Sequence, residues 1–105
     1  MTALPTGIWW DWDYCVILDW DDATFEPGPT LPDPPPVEDV LPAELRARIH
    51  RFGEEMEQHY GDAFCEDHVP PPAATARRLT GEYRAIGEAL GREGFTVRLG
   101  TTWWL

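Results

Sequence analysis

Hydrophobic and polar residues alternate with a period of two along residues 8–20, near the amino end of the chain. Successive side chains of a β-strand point to opposite faces, so this alternation predicts a strand of unusual length. No turn dipeptide interrupts it, and the segment can form one bent strand or two short ones. One face carries Trp10, Trp12, Tyr14, Val16, Leu18 and Trp20. The opposite face carries Asp11, Asp13, Cys15, Ile17, Asp19 and Asp21.

Two helices are predicted next, because apolar residues recur at three- and four-residue steps. The first covers residues 41–60, with Pro42 suited to its first position and Gly61 able to end it. The second runs from about Ala74 to Glu93, and Gly94 suits a left-handed stop. The predicted buried stripes are Leu41, Leu45, Ile49, Phe52, Met56 and Tyr60 in the first helix, and Leu79, Tyr83, Ile86 and Leu90 in the second.

Residues 95–99 alternate again and predict a strand after the helices. The order is strand, helix, helix, strand, which favours a small antiparallel sheet with both helices packed on one face. The fold class is therefore α+β, in a single domain of residues 1–105. Because a two-stranded sheet is marginal alone, either the first strand doubles back or a second copy extends the sheet in a homodimer.

A proline-rich stretch separates the first strand from the helices. Residues 26–36 contain six prolines and one glycine, so they predict a stiff connector along the surface. No apolar run approaches the roughly 18 residues of a membrane span. Residues 1–7 show no basic region followed by an apolar stretch, so we expect a cytoplasmic protein with Cys15 and Cys65 as free thiols.

Charge is unevenly distributed along the chain, whose formal net charge is −11. Residues 1–40 hold nine acidic residues and no basic one, whereas residues 70–105 hold three acidic residues and five arginines. Such a field disfavours contact with nucleic-acid phosphate or an anionic membrane. It favours a basic protein partner.

The acidic and aromatic residues near the amino end form the predicted binding surface. If the period of two holds, the aspartates share one strand face. This face is either solvated and partly neutralised by Arg98 or a helical arginine, or a surface where mutual repulsion becomes attraction toward a basic ligand. Tryptophan is a favoured anchor residue at interfaces. The predicted partner-binding residues are Trp10, Asp11, Trp12, Asp13, Asp19, Trp20, Asp21 and Asp22.

No catalytic residue, metal or cofactor is predicted from the remaining polar residues. His59, Cys65, Asp67 and His68 match no zinc-site spacing, and the chain contains no serine for a nucleophilic triad.

Residues 16–24 resemble the first motif of the haloacid dehalogenase superfamily, which is a hydrophobic strand followed by Asp-x-Asp and Thr. The resemblance implies phosphatase chemistry in which Asp19 attacks phosphorus and Asp21 acts as acid and base beside a magnesium ion. The chain departs from the family pattern, since position 23 is Ala, no lysine is present and residues 94–105 contain no acidic residue. The sequence therefore favours a binding protein over an enzyme.

Over most of its length the chain is similar to a broad group of small acidic proteins from high-GC bacteria. Residues 12–22, 41–48, 82–90 and 94–97 carry the likeness. Some proteins of this build are immunity proteins that neutralise a partner toxin, so the resemblance implies a protein-binding inhibitor of immunity or antitoxin type. Two alternatives are a DNA-mimic inhibitor of a nucleic-acid-binding protein and a haloacid-dehalogenase-like phosphatase fragment.

Overall fold

The computed structural model describes residues 7–21 and 34–104. Three strands form one sheet in the order β2-β1-β3, and two helices pack on one of its faces. The elements in chain order are β1 (Gly7–Trp12), β2 (Val16–Trp20), a short 3-10 helix (Val37–Val40), α1 (Ala43–Tyr60), α2 (Ala73–Arg92) and β3 (Thr96–Leu99). The predicted α+β class is confirmed.

The alternating segment near the amino end folds back on itself as a hairpin. β1 pairs antiparallel with β2, from the pair Ile8 and Trp20 to the pair Trp12 and Val16, and residues 13–15 form the loop. Every even-numbered residue of β1 faces an even-numbered residue of β2. The two faces predicted for residues 8–20 are therefore the two faces of the hairpin, with the same residues on each side before and after the turn.

The sheet is mixed, which corrects the prediction of a purely antiparallel one. β3 pairs with β1 in parallel, from Gly7 and Thr96 to Trp10 and Leu99. The reason is the extra chain reversal at the hairpin loop. β2 is the strand that precedes the helices, and β3 runs in the opposite direction to β2, as predicted. β3 does not hydrogen-bond to β2, however, but to β1, which runs in the same direction as β3.

Both predicted helical stripes are buried, together with Ile8, Trp10 and Trp12 from β1. The helix and strand boundaries differ from the prediction by one or two residues, because α1 begins at Ala43 with Pro42 as its N-cap, α2 is Ala73–Arg92, and β3 begins at Thr96. Gly94 has a φ of 103°, so the predicted left-handed stop after α2 is confirmed.

The predicted connector is described only from Pro34 to Pro36, which belong to no helix or strand, and residues 26–33 lie outside the described residues. The carbonyl of Pro35 accepts a hydrogen bond from the Trp20 indole at 2.9 Å, which holds this end of the segment near β2. Neither helix in the described ranges has the length and apolar character needed to cross a membrane.

Gly53 lets the hairpin approach α1 closely. A Cβ at this position would lie 2.6 Å from a methyl group of Val16, which is a stiff, β-branched side chain. Alanine favours a helix over glycine by about 1 kcal/mol, but here we expect Gly53→Ala to destabilise the protein by about 1–3 kcal/mol. The free energy of unfolding from urea titrations measures this difference.

Gly81→Ala in α2 is the matched control. Nothing lies within 4 Å of a Cβ at that exposed position, so the substitution should stabilise the protein by up to about 1 kcal/mol. Stabilisation by both substitutions would contradict the close packing of the hairpin on α1.

Candidate protein-binding surface

The predicted aspartates do not form a continuous acidic surface. Asp11 is 7% exposed, lies against Gly100 and accepts a hydrogen bond from the Trp12 backbone N–H at 2.8 Å. Asp21 is 6% exposed and accepts a hydrogen bond from Arg98 Nε at 2.5 Å. This corrects the expected row of free carboxylates, and the reason is that β3 and the residue after it lie against the same face.

The other predicted acidic residues lie apart from one another. Asp13 is exposed in the hairpin loop, and Asp19 is exposed in β2, where its carboxylate accepts the Trp20 backbone N–H at 2.8 Å. Asp22 lies outside the described residues. Only Asp13 and Asp19 among the described aspartates of the predicted surface are therefore exposed to a partner.

Two of the predicted tryptophan contacts lie in the core, which is a further correction. Trp10 is 0% exposed and Trp12 is 1% exposed, because the hairpin turns their shared face onto the helices. Trp20 is half-buried beside Phe95, at a ring-centroid distance of 6.0 Å. These indoles stabilise the fold, and a partner would have to bind elsewhere.

A cluster of exposed rings lies at residues outside the binding surface that the sequence predicts. Tyr14, Phe64 and Trp103, which we call the aromatic patch, are 43%, 77% and 37% exposed. The ring of Tyr14 lies 5.6 Å from that of Phe64 and 5.2 Å from that of Trp103. The three residues come from the hairpin loop, the loop between the helices and the turn after β3, so only the folded chain brings them together.

Tyr14 is held on this surface by a strained backbone. Its φ of 61° lies in the left-handed region, which a bulky residue adopts at a cost of roughly 1–3 kcal/mol. The ring packs 6.0 Å from Trp12 while the side chain stays largely open to solvent. A costly conformation that presents an exposed ring is typical of a functional position.

Tyr60 lies in the buried layer next to the aromatic patch. Its ring is 5.7 Å from Trp103, and its hydroxyl is buried without a hydrogen-bond partner among the described residues. Burial also raises the pKa of this hydroxyl. Since an unsatisfied buried polar group costs about 1–3 kcal/mol, it is a second feature that sets this region apart from ordinary packing.

The surroundings of the aromatic patch are acidic. Residues 52–76 contain six acidic residues and no arginine, and Asp62, Glu66 and Asp67 are exposed in the same loop as Phe64. His68 Nδ1 lies 2.9 Å from Asp62, and Arg78 pairs with Glu55, whereas no arginine in the described ranges pairs with the carboxylates of the loop. We call Asp62, Glu66 and Asp67 the acidic rim.

A cleft of about 310 Å³ opens beside Tyr14, between the hairpin and α1. Glu54 and Glu57 line it from the helix, together with His50, and Tyr14 and Cys15 line it from the hairpin. An aromatic ring beside two carboxylates can bind a guanidinium or ammonium group through cation–π and charge-assisted contacts.

The described residues offer no group of three histidine, cysteine or acidic side chains arranged to hold a metal ion. Cys15 and Cys65 are both unpaired and exposed.

Comparisons with protein-family models, with curated proteins and with solved structures found no match. The fold and the surface by themselves define a small α+β protein that presents exposed aromatic rings among exposed carboxylates.

The buried carboxyl of Asp11 makes stability depend on pH. Burial raises its pKa above the ordinary value of 3.8, and the hydrogen bond from the Trp12 N–H opposes the rise only in part. The folded chain therefore keeps this proton at a pH where the unfolded chain has lost it, so ionisation of Asp11 destabilises the fold as pH rises. We expect Asp11→Asn to unfold at a higher temperature than wild type at pH 7.

The difference in melting temperature between Asp11→Asn and wild type should shrink as pH falls below about 4, because both side chains are then uncharged. Asp39→Asn, at an exposed position, is the control and should change the melting temperature little. A lower melting temperature of Asp11→Asn at pH 7 would show that the carboxylate stabilises the fold instead.

Proposed function

We propose that this chain is a protein-binding inhibitor of immunity or antitoxin type that neutralises a basic partner protein. The observation that carries the proposal is the aromatic patch next to the acidic rim, where three exposed rings lie among carboxylates without arginine partners. Aromatic side chains are the commonest energetic anchors of protein interfaces. Surrounding charges of one sign steer an oppositely charged partner and speed its association.

The proposed interface combines apolar contacts with contacts to a positively charged side chain. Phe64 and Trp103 supply apolar surface that a partner can cover. A partner bound there would also add contacts to the buried aromatic layer beneath, which contains Tyr60. The cleft beside Tyr14 receives an arginine or lysine side chain, because its ring and the carboxylates of Glu54 and Glu57 converge there. The acidic rim then lies over the basic surface around that side chain.

A cytoplasmic location is part of the same proposal. Both cysteines are exposed and unpaired, which suits a reducing compartment.

The phosphatase alternative gains no support from the geometry. The haloacid dehalogenase superfamily has an alternating parallel sheet, whereas β2 is an edge strand antiparallel to its only strand neighbour among the described residues. The Asp21 carboxylate is bound by Arg98, and the Asp19 carboxylate lies on the outer face next to the Trp20 N–H.

Calorimetric titration against the product of the adjacent gene tests the proposal. We expect binding that weakens strongly between about 0.01 M and about 0.15 M salt, because opposite charges are then screened. Phe64→Ala should raise Kd by about 30-fold or more, as for an interface anchor, while the melting temperature barely changes at this 77% exposed position. Absence of binding, or binding that is indifferent to salt, would sink the proposal.

Charge-matched variants locate the interface. Neutralising the acidic rim, with Asn or Gln at all three positions, should slow association about tenfold or more. The control neutralises Asp39, Glu44 and Glu93, which are exposed near the other ends of the helices and change the net charge equally. Equal slowing by the two triple variants would show that net charge alone matters and that the acidic rim is not the contact surface.

A further inference from the structure

The outer edge of β3 is open in the described part of the chain. β3 is the last strand of the sheet, and no described strand pairs with its other side. Gly100 donates its backbone N–H to Trp10 at 2.9 Å, so alternate residues of β3 point their backbone groups at β1. Val97 and Leu99 therefore direct their N–H and C=O groups outward, where another strand can pair with them.

An apolar groove runs beside this open edge. It encloses about 320 Å³ between β3 and α2, and Val97, Leu99 and Gly87 form its apolar lining. Leu99 is 46% exposed, although it lies so close to Gly87 that a Cβ there would come within 2.9 Å of it. An exposed leucine next to unpaired backbone groups is a surface that another chain can cover.

The charges on the rim of this groove are self-complementary. Arg84 and Glu88 are exposed one helical turn apart on α2, and both line the groove. A two-fold axis that passes between Arg84 and Glu88 places each of them opposite the oppositely charged residue of the partner copy. Residues 70–105, which include α2 and β3, are also the segment with a positive charge balance, so two copies that meet here keep their acidic segments away from the contact.

We propose that two copies of this chain form a dimer by pairing residues 97–101, the end of β3 and the two residues after it, antiparallel, with the two sheets joined into one of six strands. Leu99 of one copy lies opposite Leu99 of the other. A register centred on Arg98 would set two guanidinium groups against each other, which disfavours it. Because Leu99 lies next to Gly87, the two-fold axis through the Leu99 pair passes α2 near Gly87. Arg84 of each copy then pairs with Glu88 of the other.

Sedimentation equilibrium of the 105-residue chain over a concentration series tests this dimer. We expect a species of twice the 12.0 kDa chain mass. Arg84→Glu or Glu88→Arg alone should raise the dimer dissociation constant about tenfold or more, because two ion pairs become repulsive at once. The double variant Arg84→Glu/Glu88→Arg should restore it to within about threefold of wild type.

Two further variants separate the contact from unspecific effects. Arg77→Glu makes the same charge change at an exposed position of α2 outside the groove, and it should alter the dissociation constant less than about threefold. Leu99→Lys should give a folded monomer, since lysine blocks an exposed strand edge. A wild-type monomer at the highest concentration, or a double variant no tighter than the single ones, would overturn the proposal.

The dimer does not rest on the proposed inhibitor function. The Leu99→Lys monomer should still bind a basic partner through the aromatic patch, so failure of one proposal is visible separately from failure of the other.

Discussion

The fold depends on a reciprocal contact between Trp10 and Tyr83, which are 73 residues apart in the chain. The indole N–H of Trp10 donates to the Tyr83 carbonyl at 2.9 Å, and the Tyr83 hydroxyl donates to the Trp10 carbonyl at 2.8 Å. Their rings stack at 5.4 Å, and both residues are at most 1% exposed. Burial raises the pKa of Tyr83 to about 12, so the hydroxyl keeps the proton that it donates. β1 is thereby fixed on α2.

The exposed surface follows from this contact by a chain of rings. Trp104 lies 5.5 Å from Tyr83 and 6.3 Å from Trp12, and Trp103 stacks on Trp12 at 5.8 Å. The aromatic patch is therefore the outer end of a continuous aromatic core. Rings held by such packing lose little freedom on binding, which makes them effective anchors even in so small a protein.

Much of the architecture was visible in the sequence because it depends on local periodicity. The helical stripes and the two faces of residues 8–20 were predicted correctly, since hydrophobic burial imposes the same spacing wherever those elements pack. The hairpin was one of two forms that the sequence left open, and the position of its turn could not be predicted, because Tyr14 adopts a left-handed φ without the Gly, Asn or Asp that normally marks such a turn. Arg98 binds Asp21 across 77 residues, and the pairing of β3 with β1, not a pattern within residues 8–22, decides which aspartate Arg98 reaches. The aromatic patch likewise depends on contacts between residues far apart in the chain. The one local indication of it was Phe64, which stands among the acidic residues of a loop.

Charge explains how the two proposed surfaces could work together. A chain with net charge −11 resists self-association unless the contact uses its least acidic part, and α2 with β3 is that part. A dimer joined there carries two copies of the aromatic patch and of the acidic rim, because those residues come from the hairpin loop, the loop between the helices and the turn after β3. A basic partner that exposes two matching sites would then bind both copies, and the second contact would form at a high effective concentration. The same uneven charge that would draw the proposed basic partner to one surface would thus direct the proposed self-association to another.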